Sequence, residues 1–209
     1  MRKTLWIIGL ALAVPAVASA QAVPRVEVFG GYSYGVIRGY VDDQLDPGSG
    51  TASFPSFGSN GWTGSVAVRA TRWLGAVADA SGLYTDSTRK IGGTPITLSM
   101  REHSYLLGPQ FSYRSERWEV FAHALFGEAL ASVTVSAPEV LTPLSMVGTK
   151  FAICAGGGVE YTVYSRRPHL TGAGQQFAIR PMQIDWLRTN FADSHQGNIR
   201  LSTGLVFRF

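Results

Sequence analysis

The sequence predicts an all-β fold, an eight-stranded antiparallel up-and-down transmembrane β-barrel, and three observations lead to it. Apolar and polar residues alternate along segments of around ten residues, and the connections between these segments differ systematically in length. Aromatic residues flank an aliphatic belt on one face of the segments. Alternation with a period of two is typical of strands with two different faces, and about ten residues let a tilted strand cross a bilayer.

The N-terminal stretch predicts a cleaved signal peptide. It has a basic start, an apolar run interrupted by a proline, and then Ala18-Ser19-Ala20, which is a small-x-small pattern. This layout is typical of secretory signal peptides, whereas a spanning helix needs about 20 apolar residues. We therefore expect residues 1–20 to be removed and residues 21–209 to form one barrel domain.

Eight segments show the alternation: residues 26–37, 61–70, 73–84, 103–114, 118–130, 150–164, 177–187 and 198–209. The second and fourth connections are short, and the first, third and fifth are long: residues 38–60, 85–102 and 131–149. The sixth is longer than this pattern predicts, and the seventh is moderate. Short turns at one end and long loops at the other, on an even number of strands, are typical of outer-membrane barrels.

The two faces of the segments differ in polarity. One face carries Val66, Val68, Leu107, Phe111, Val120, Ala122, Ala124, Phe126, Ile153, Val159, Ile184, Ile199 and Leu205. The other carries two glutamines, Gln110 and Gln183, and a charged set: Glu27, Arg69, Asp79, Glu119, His123, Glu160, Asp185, Arg200 and Arg208. A soluble barrel such as a lipocalin would point its apolar face inward, but this polar face is too charged to be a core. We expect it to line the lumen of a membrane barrel and its opposite charges to pair, because an eight-stranded barrel is only wide enough for side chains to fill.

Aromatic residues form two bands on the apolar face. Near the short turns lie Trp73, Tyr113, Trp118, Tyr161, Phe177 and Phe209; toward the long loops lie Tyr32, Tyr34, Trp62, Tyr84, Tyr105, Phe126 and Trp186. Such bands are typical of the girdles at the two membrane interfaces.

The C-terminal strand carries the most specific motif. It reads polar, any, Gly, any, any, hydrophobic, any, aromatic, with the defined positions filled by Ser202, Gly204, Phe207 and Phe209. In this motif the chain resembles the small eight-stranded outer-membrane barrels, the OmpA/OmpX-like group. The resemblance implies an outer-membrane location, contact with outer-membrane lipid, and recognition of the final strand by the barrel assembly machinery.

Two prolines depart from the strand pattern. Pro109 and Pro181 lie inside predicted strands, where proline removes a ladder donor, so we expect bulges or local breaks at both. An unbroken parity across Pro181 would point Arg180 at lipid.

Other candidate sites are weak. His123 is the best-placed general base, but the His-x-Ser pair that the resemblance to lipid A deacylases would require is missing, because position 125 is Leu. Asp42, Asp43 and Asp46 could offer oxygen ligands to a hard cation, yet their spacing matches no EF-hand. The single cysteine, Cys154, is interpreted as inert packing. We therefore predict no catalytic residue, no cofactor and no metal.

The sequence favours an envelope-structural or surface-interaction role for a monomeric protein. There is no basic run, and two of the positive charges behind the formal net charge of +4 belong to the predicted signal peptide, so nothing indicates nucleic acid. The alternatives are a lipid A- or phospholipid-modifying enzyme and a small diffusion channel. What the long loops bind is left open.

Overall fold

A computed structural model describes residues 25–37, 57–91, 94–136, 144–166, 174–191 and 194–209. Within these ranges, eight antiparallel strands follow one another around a closed barrel, and the last strand pairs with the first. The predicted fold class is confirmed. The expected signal peptide and the acidic residues Asp42, Asp43 and Asp46 lie outside the described residues. In the part of the chain described here, no helix has the length and apolarity needed to span a membrane.

The strands are β1 (Val26–Ile37), β2 (Phe57–Arg69), β3 (Leu74–Ile91), β4 (Thr94–Arg114), β5 (Trp118–Ser136), β6 (Leu144–Arg166), β7 (Gln175–Phe191) and β8 (Ser194–Arg208). The predicted long connections 85–102 and 131–149 are therefore largely wrong, because most of their residues continue the strands. These segments alternate poorly since polar residues stand at both parities, but their Thr, Val and Ile residues still favour extended backbone.

The alternation of exposure follows the predicted faces. Leu107 is 56% exposed and its neighbour Leu106 is buried, and the apolar set points outward along all the strands that carry it. Arg208 is only 1% exposed, as are other charged residues of the polar set. A barrel with an apolar exterior and a charged interior is suited to lipid, where closure also leaves no unpaired strand edge.

The predicted aromatic bands lie on the outer surface. At the short-turn end, Trp73 stacks on Phe111 with ring centroids 5.9 Å apart, and Trp118 contacts Tyr161 at 4.8 Å. At the other end, Tyr32, Trp62 and Tyr105 are exposed, and the indole N–H of Trp62 donates to the hydroxyl of Tyr84 at 3.1 Å. Rings with a polar tip suit the two water–lipid boundaries.

The C-terminal strand closes the barrel. The backbone oxygen of Phe209 accepts from the N–H groups of Arg25 and Val26 at 3.1 and 3.0 Å, and its own N–H donates to Val26. Five residues before Phe209, Gly204 lies opposite Gly31, and a Cβ on Gly204 would collide with the backbone of β1. Close packing against β1 therefore explains why the C-terminal motif has a glycine at this position.

The two prolines have different effects. The pairing of β7 with β8 shifts register between Arg180 and Gln183, and this bulge turns Arg180 into the lumen while Pro181 is exposed. At Pro109 the ladder toward β5 lacks two rungs, but the register is unchanged on either side. The expected bulge is therefore present at Pro181 alone of the two, and Pro109 is a local break. A further irregularity between β6 and β7, near Tyr161, was not predicted.

The face assignment predicts opposite tolerances for two neighbouring residues of β2. Val66 points outward between the girdles, beside Val28 of β1 and Ala78 of β3, whereas Ser65 points inward beside Asp79. Val66→Arg should destabilise the folded protein by about 2–4 kcal/mol, since it places a charge near the bilayer midplane. Ser65→Arg should cost less because the new charge faces a carboxylate. Urea unfolding in lipid vesicles measures both, and the reverse order would contradict the assigned faces.

Candidate functional site: the charged lumen

Three carboxylates meet inside the barrel near the short turns. Glu27 of β1, Glu119 of β5 and Glu160 of β6 each present an oxygen within 4.8 Å of the other two. Four arginines surround them, and the seven residues are called the short-turn cluster: Glu27, Glu119, Glu160, Arg69, Arg114, Arg180 and Arg208. They come from seven strands. They converge because, in a narrow barrel, inward-pointing side chains at the same height all point toward the same part of the barrel axis.

Arg208 is the hub of the short-turn cluster. Its Nε lies 2.8 Å from Oε2 of Glu27 and its Nη2 lies 2.9 Å from Oε2 of Glu119, and it also pairs with Glu160. A single guanidinium thus contacts all three carboxylates, which its several donors in a rigid fork allow. Arg208 belongs to β8, the strand that closes the barrel by pairing with β1. The closing strand therefore also supplies the cation that contacts all three carboxylates.

Two further arginines complete the shell around Glu119. Arg69 pairs with Glu119 and lies 3.2 Å from Glu27, and Arg114 reaches Oε2 of Glu119 at 2.7 Å. Arg114 is the most exposed of the cluster, with 21% of its side chain accessible, and so it forms the rim. Glu119 is therefore paired with three arginines, because Arg208 contacts it as well.

Arg180 is a member of the cluster that was not predicted from the sequence. Its guanidinium pairs with Glu160, lies 3.2 Å from Glu27, and sits over the rings of Phe29 and Phe121 at 3.8 and 4.5 Å. Two rings on a buried cation supply cation–π attraction in addition to the ion pairs. If the alternation of inward and outward residues continued unbroken across Pro181, Arg180 would face lipid and not the lumen. The high cost of an arginine in lipid was itself a signal that the alternation must change at this proline.

A second group of charges lies further along the lumen and is called the mid-lumen cluster: Asp79, His123, Asp185 and Arg200. Arg200 bridges the two aspartates, 3.0 Å from Oδ1 of Asp79 and 2.8 Å from Oδ2 of Asp185. The Nε2 atom of His123 lies 2.9 Å from Oδ1 of Asp185. Gln183 donates to the same carboxylate at 2.7 Å.

Apolar and hydroxyl side chains fill much of the remaining described interior, together with the buried Glu102, Gln110 and Asn198. An apolar layer consists of Ala67, Val77, Leu106, Leu125, Ala129, Ala152, Cys154 and Leu187. Hydroxyls pair across strands, Ser33 with Ser202 at 2.8 Å and Ser81 with Ser104 at 2.7 Å. Filling of this kind is what the width of an eight-stranded barrel permits.

The structure places all nine residues of the predicted charged set in the lumen, divided between the two clusters. The individual pairs were left open by the sequence. Besides Arg180, two inward-facing charges were not predicted, Arg114 and the buried Glu102. Glu102 was assigned to a loop, and Arg114 stood at the end of a predicted strand.

Charge counting in the short-turn cluster yields a prediction. Three glutamates face four arginines, so Glu119→Gln leaves two carboxylates among four cations and should destabilise by about 3–5 kcal/mol, as breaking a buried pair does. Arg114 pairs with Glu119 among the described residues. Adding Arg114→Met to Glu119→Gln should therefore restore part of the loss, as measured by urea unfolding in lipid vesicles. Equal stability of Glu119→Gln and the unmodified protein would show that the cluster is not a coupled ion-pair network.

Comparison with known proteins identifies the fold. No family model matches the chain, and no curated protein matches it. Among solved structures, Ail, the attachment invasion locus protein of Yersinia pestis, in complex with the heparin analogue sucrose octasulfate, is similar with a TM-score of 0.53 at 15% identity, over 87% of this chain and 99% of Ail. Neisserial surface protein A is similar with a TM-score of 0.53 at 12% identity, over 88% of this chain and 97% of the other. The chain therefore has the fold of the small eight-stranded outer-membrane barrels.

Proposed function

We propose that this chain is an integral outer-membrane protein with a non-catalytic surface-interaction role, performed by strands that continue beyond the barrel. The observation that carries the proposal is a difference in strand length. Pairing of β2 with β3 ends at Asn60 and Tyr84, whereas pairing of β3 with β4 continues to Ile91 and Thr94. Part of the sheet therefore extends past its neighbours.

A second difference in strand length, between the β6–β7 and β5–β6 pairs, marks the other side of this extension. Pairing of β6 with β7 reaches only Ala152 and Thr189, whereas β5 and β6 remain paired as far as Val135 and Leu144. Four strands thus form a protruding sheet, made of residues 85–91, 94–102, 128–136 and 144–151. At this level, neither β3 nor β6 pairs with another strand of the described ranges on its outer side.

Unpaired strand edges are natural sites for strand addition. Their free N–H and C=O groups can pair with an extended segment of another protein, while pockets between side chains supply specificity. On the β6 edge, Val147 is 73% exposed and Phe151 is 58% exposed. An edge with exposed apolar side chains, and with no strand partner in the described ranges, suits an extended, partly apolar protein segment as its partner.

The outer surface supports a lipid environment for the barrel below this sheet. The apolar belt and its two aromatic girdles suit outer-membrane lipid. The C-terminal motif supports recognition by the barrel assembly machinery, and the charges in the described part of the barrel are largely paired within one chain, which supports a monomer.

A deletion tests the interaction role. Ser132 and Val147 are directly paired, so residues 133–146 can be replaced by an Asn-Gly turn without changing register. Bacteria displaying this variant should adhere less to immobilised extracellular proteins than bacteria displaying the unmodified chain. The matched control replaces residues 190–195 by Asn-Gly between the paired Thr189 and Gln196, which shortens a hairpin outside the protruding sheet. Equal adherence of all three would refute the role of the protruding sheet.

Labelling checks that the variants are displayed in the assumed direction. In a Cys154→Ala background, Val147→Cys should react with a membrane-impermeant maleimide on intact cells. Arg72→Cys, in the exposed turn between β2 and β3, should react only after the outer membrane is permeabilised. Reversed reactivity would place the protruding sheet in the periplasm.

A small channel is the competing function. The lumen contains two charge clusters, hydroxyl pairs and an apolar layer, so we expect no sizeable conductance. Planar-bilayer recording measures this directly. Stable single-channel steps that disappear in Arg200→Met or Glu160→Gln would favour the channel instead.

An enzyme is supported less. The candidate base His123 is buried in the lumen and bonded to Asp185, away from the outer surface that lipid acyl chains contact. Hydrolysis of labelled lipid A by the purified protein would overturn the non-catalytic proposal.

A further inference from the structure

We propose that the lumen contains a metal site formed by His123, Cys154 and Asp185, suited to zinc or a similar divalent cation. This inference is independent of the proposed surface role. A ring nitrogen, the sulfur and a carboxylate oxygen of these three residues all lie within 4.8 Å of one another, and the three side chains are buried. They come from three adjacent strands, β5, β6 and β7.

The register of the sheet explains how the three residues meet. His123 is paired with Gly156, and Gly156 is paired with Asp185, so the histidine and the aspartate flank a glycine on the strand between them. A Cβ at Gly156 would collide with the carboxylate of Asp185. The absence of a side chain there opens the space across β6, and Cys154 faces the same space from two residues along the strand.

The donor set matches the ligand chemistry of zinc. Thiolate sulfur, imidazole nitrogen and carboxylate oxygen are its usual protein ligands, and three protein ligands with one open position is a common arrangement. The charges also balance, because a thiolate and a carboxylate neutralise a divalent cation. Arg200 would retain its contact with Asp79 at 3.0 Å.

The two oxygens of Asp185 have separate partners. Oδ2 accepts hydrogen bonds from Arg200 and Gln183, at 2.8 and 2.7 Å, whereas Oδ1 faces His123. Oδ1 is therefore the oxygen available to a metal, and the bonds to Oδ2 would orient the carboxylate as outer-shell bonds do in metal sites. Zinc bond lengths place a tetrahedral nitrogen and oxygen roughly 3.3 Å apart, so the present 2.9 Å would widen slightly.

The short-turn cluster has the same spacing but a different character. Its three glutamates also lie within 4.8 Å of one another. Four arginine side chains contact them, however, and Arg208 alone touches all three. A metal ion bound there would have to displace arginines from the glutamates. In the mid-lumen cluster, Arg200 contacts Oδ2 of Asp185 and leaves Oδ1 available to a metal ion.

Cobalt provides a spectroscopic test. Because the three ligands are buried, the untagged mature protein should be refolded into detergent micelles with one equivalent of Co²⁺. We expect a thiolate-to-cobalt charge-transfer band and visible d–d bands, both removed by Zn²⁺, and close to one zinc per chain after refolding with Zn²⁺ and gel filtration. The other histidines of the chain cannot produce the thiolate band.

Variants identify the ligands. Cys154→Ala should lose the charge-transfer band and weaken metal binding at least tenfold, and His123→Gln, whose amide can still donate to Asp185, should weaken it comparably. Ser104→Ala, in a buried hydroxyl pair with Ser81, is the matched control and should bind as the unmodified chain does. Heat-dependent gel mobility verifies that each variant folds. Absence of the band in the unmodified protein, or an unchanged band in Cys154→Ala, would overturn the site and leave a His123–Asp185 hydrogen bond.

Discussion

Closure of the strand ladder is the constraint on which the rest of this structure depends. In lipid, every backbone N–H and C=O must find a partner within the protein, and a closed barrel achieves this without an edge. Here β8 completes the ladder by pairing with β1, and the backbone of Phe209 is held by Arg25 and Val26. Once the ladder is closed, each side chain has only two directions, outward to lipid or inward to a narrow lumen.

The charge distribution follows from that choice. Charged side chains within the membrane level point inward, where there is little room for water, so the acidic residues need basic partners at the same height. Arg208 supplies one such partner from the closing strand. Arg180 supplies another only because the bulge at Pro181 reverses its direction. A backbone irregularity thus completes an electrostatic network, in line with the general use of bulges to re-aim side chains.

Above the barrel the same strands meet a different environment. If the protruding sheet lies outside the lipid, as proposed above, its outer face has no need to be apolar. The sequence reflects this change: polar residues occupy both parities in residues 85–91 and 94–102, while β-branched residues persist. The structure therefore combines a closed barrel with a sheet whose two outer edges have no strand partner among the described residues.

The sequence by itself determined the fold class, the number of strands and the direction of most side chains. These depend on local alternation, which is strong wherever one face meets lipid and the other a charged lumen, as at Leu107 and Glu119. Tertiary structure alone decided where β3, β4, β5 and β6 end, because the alternation of apolar and polar residues fades toward those ends. It also decided the direction of Arg180, which depends on the register of β7 with β8. It also decided which charges pair and that Cys154 lies beside His123 and Asp185, because such proximity arises from the register between three neighbouring strands and not from local alternation.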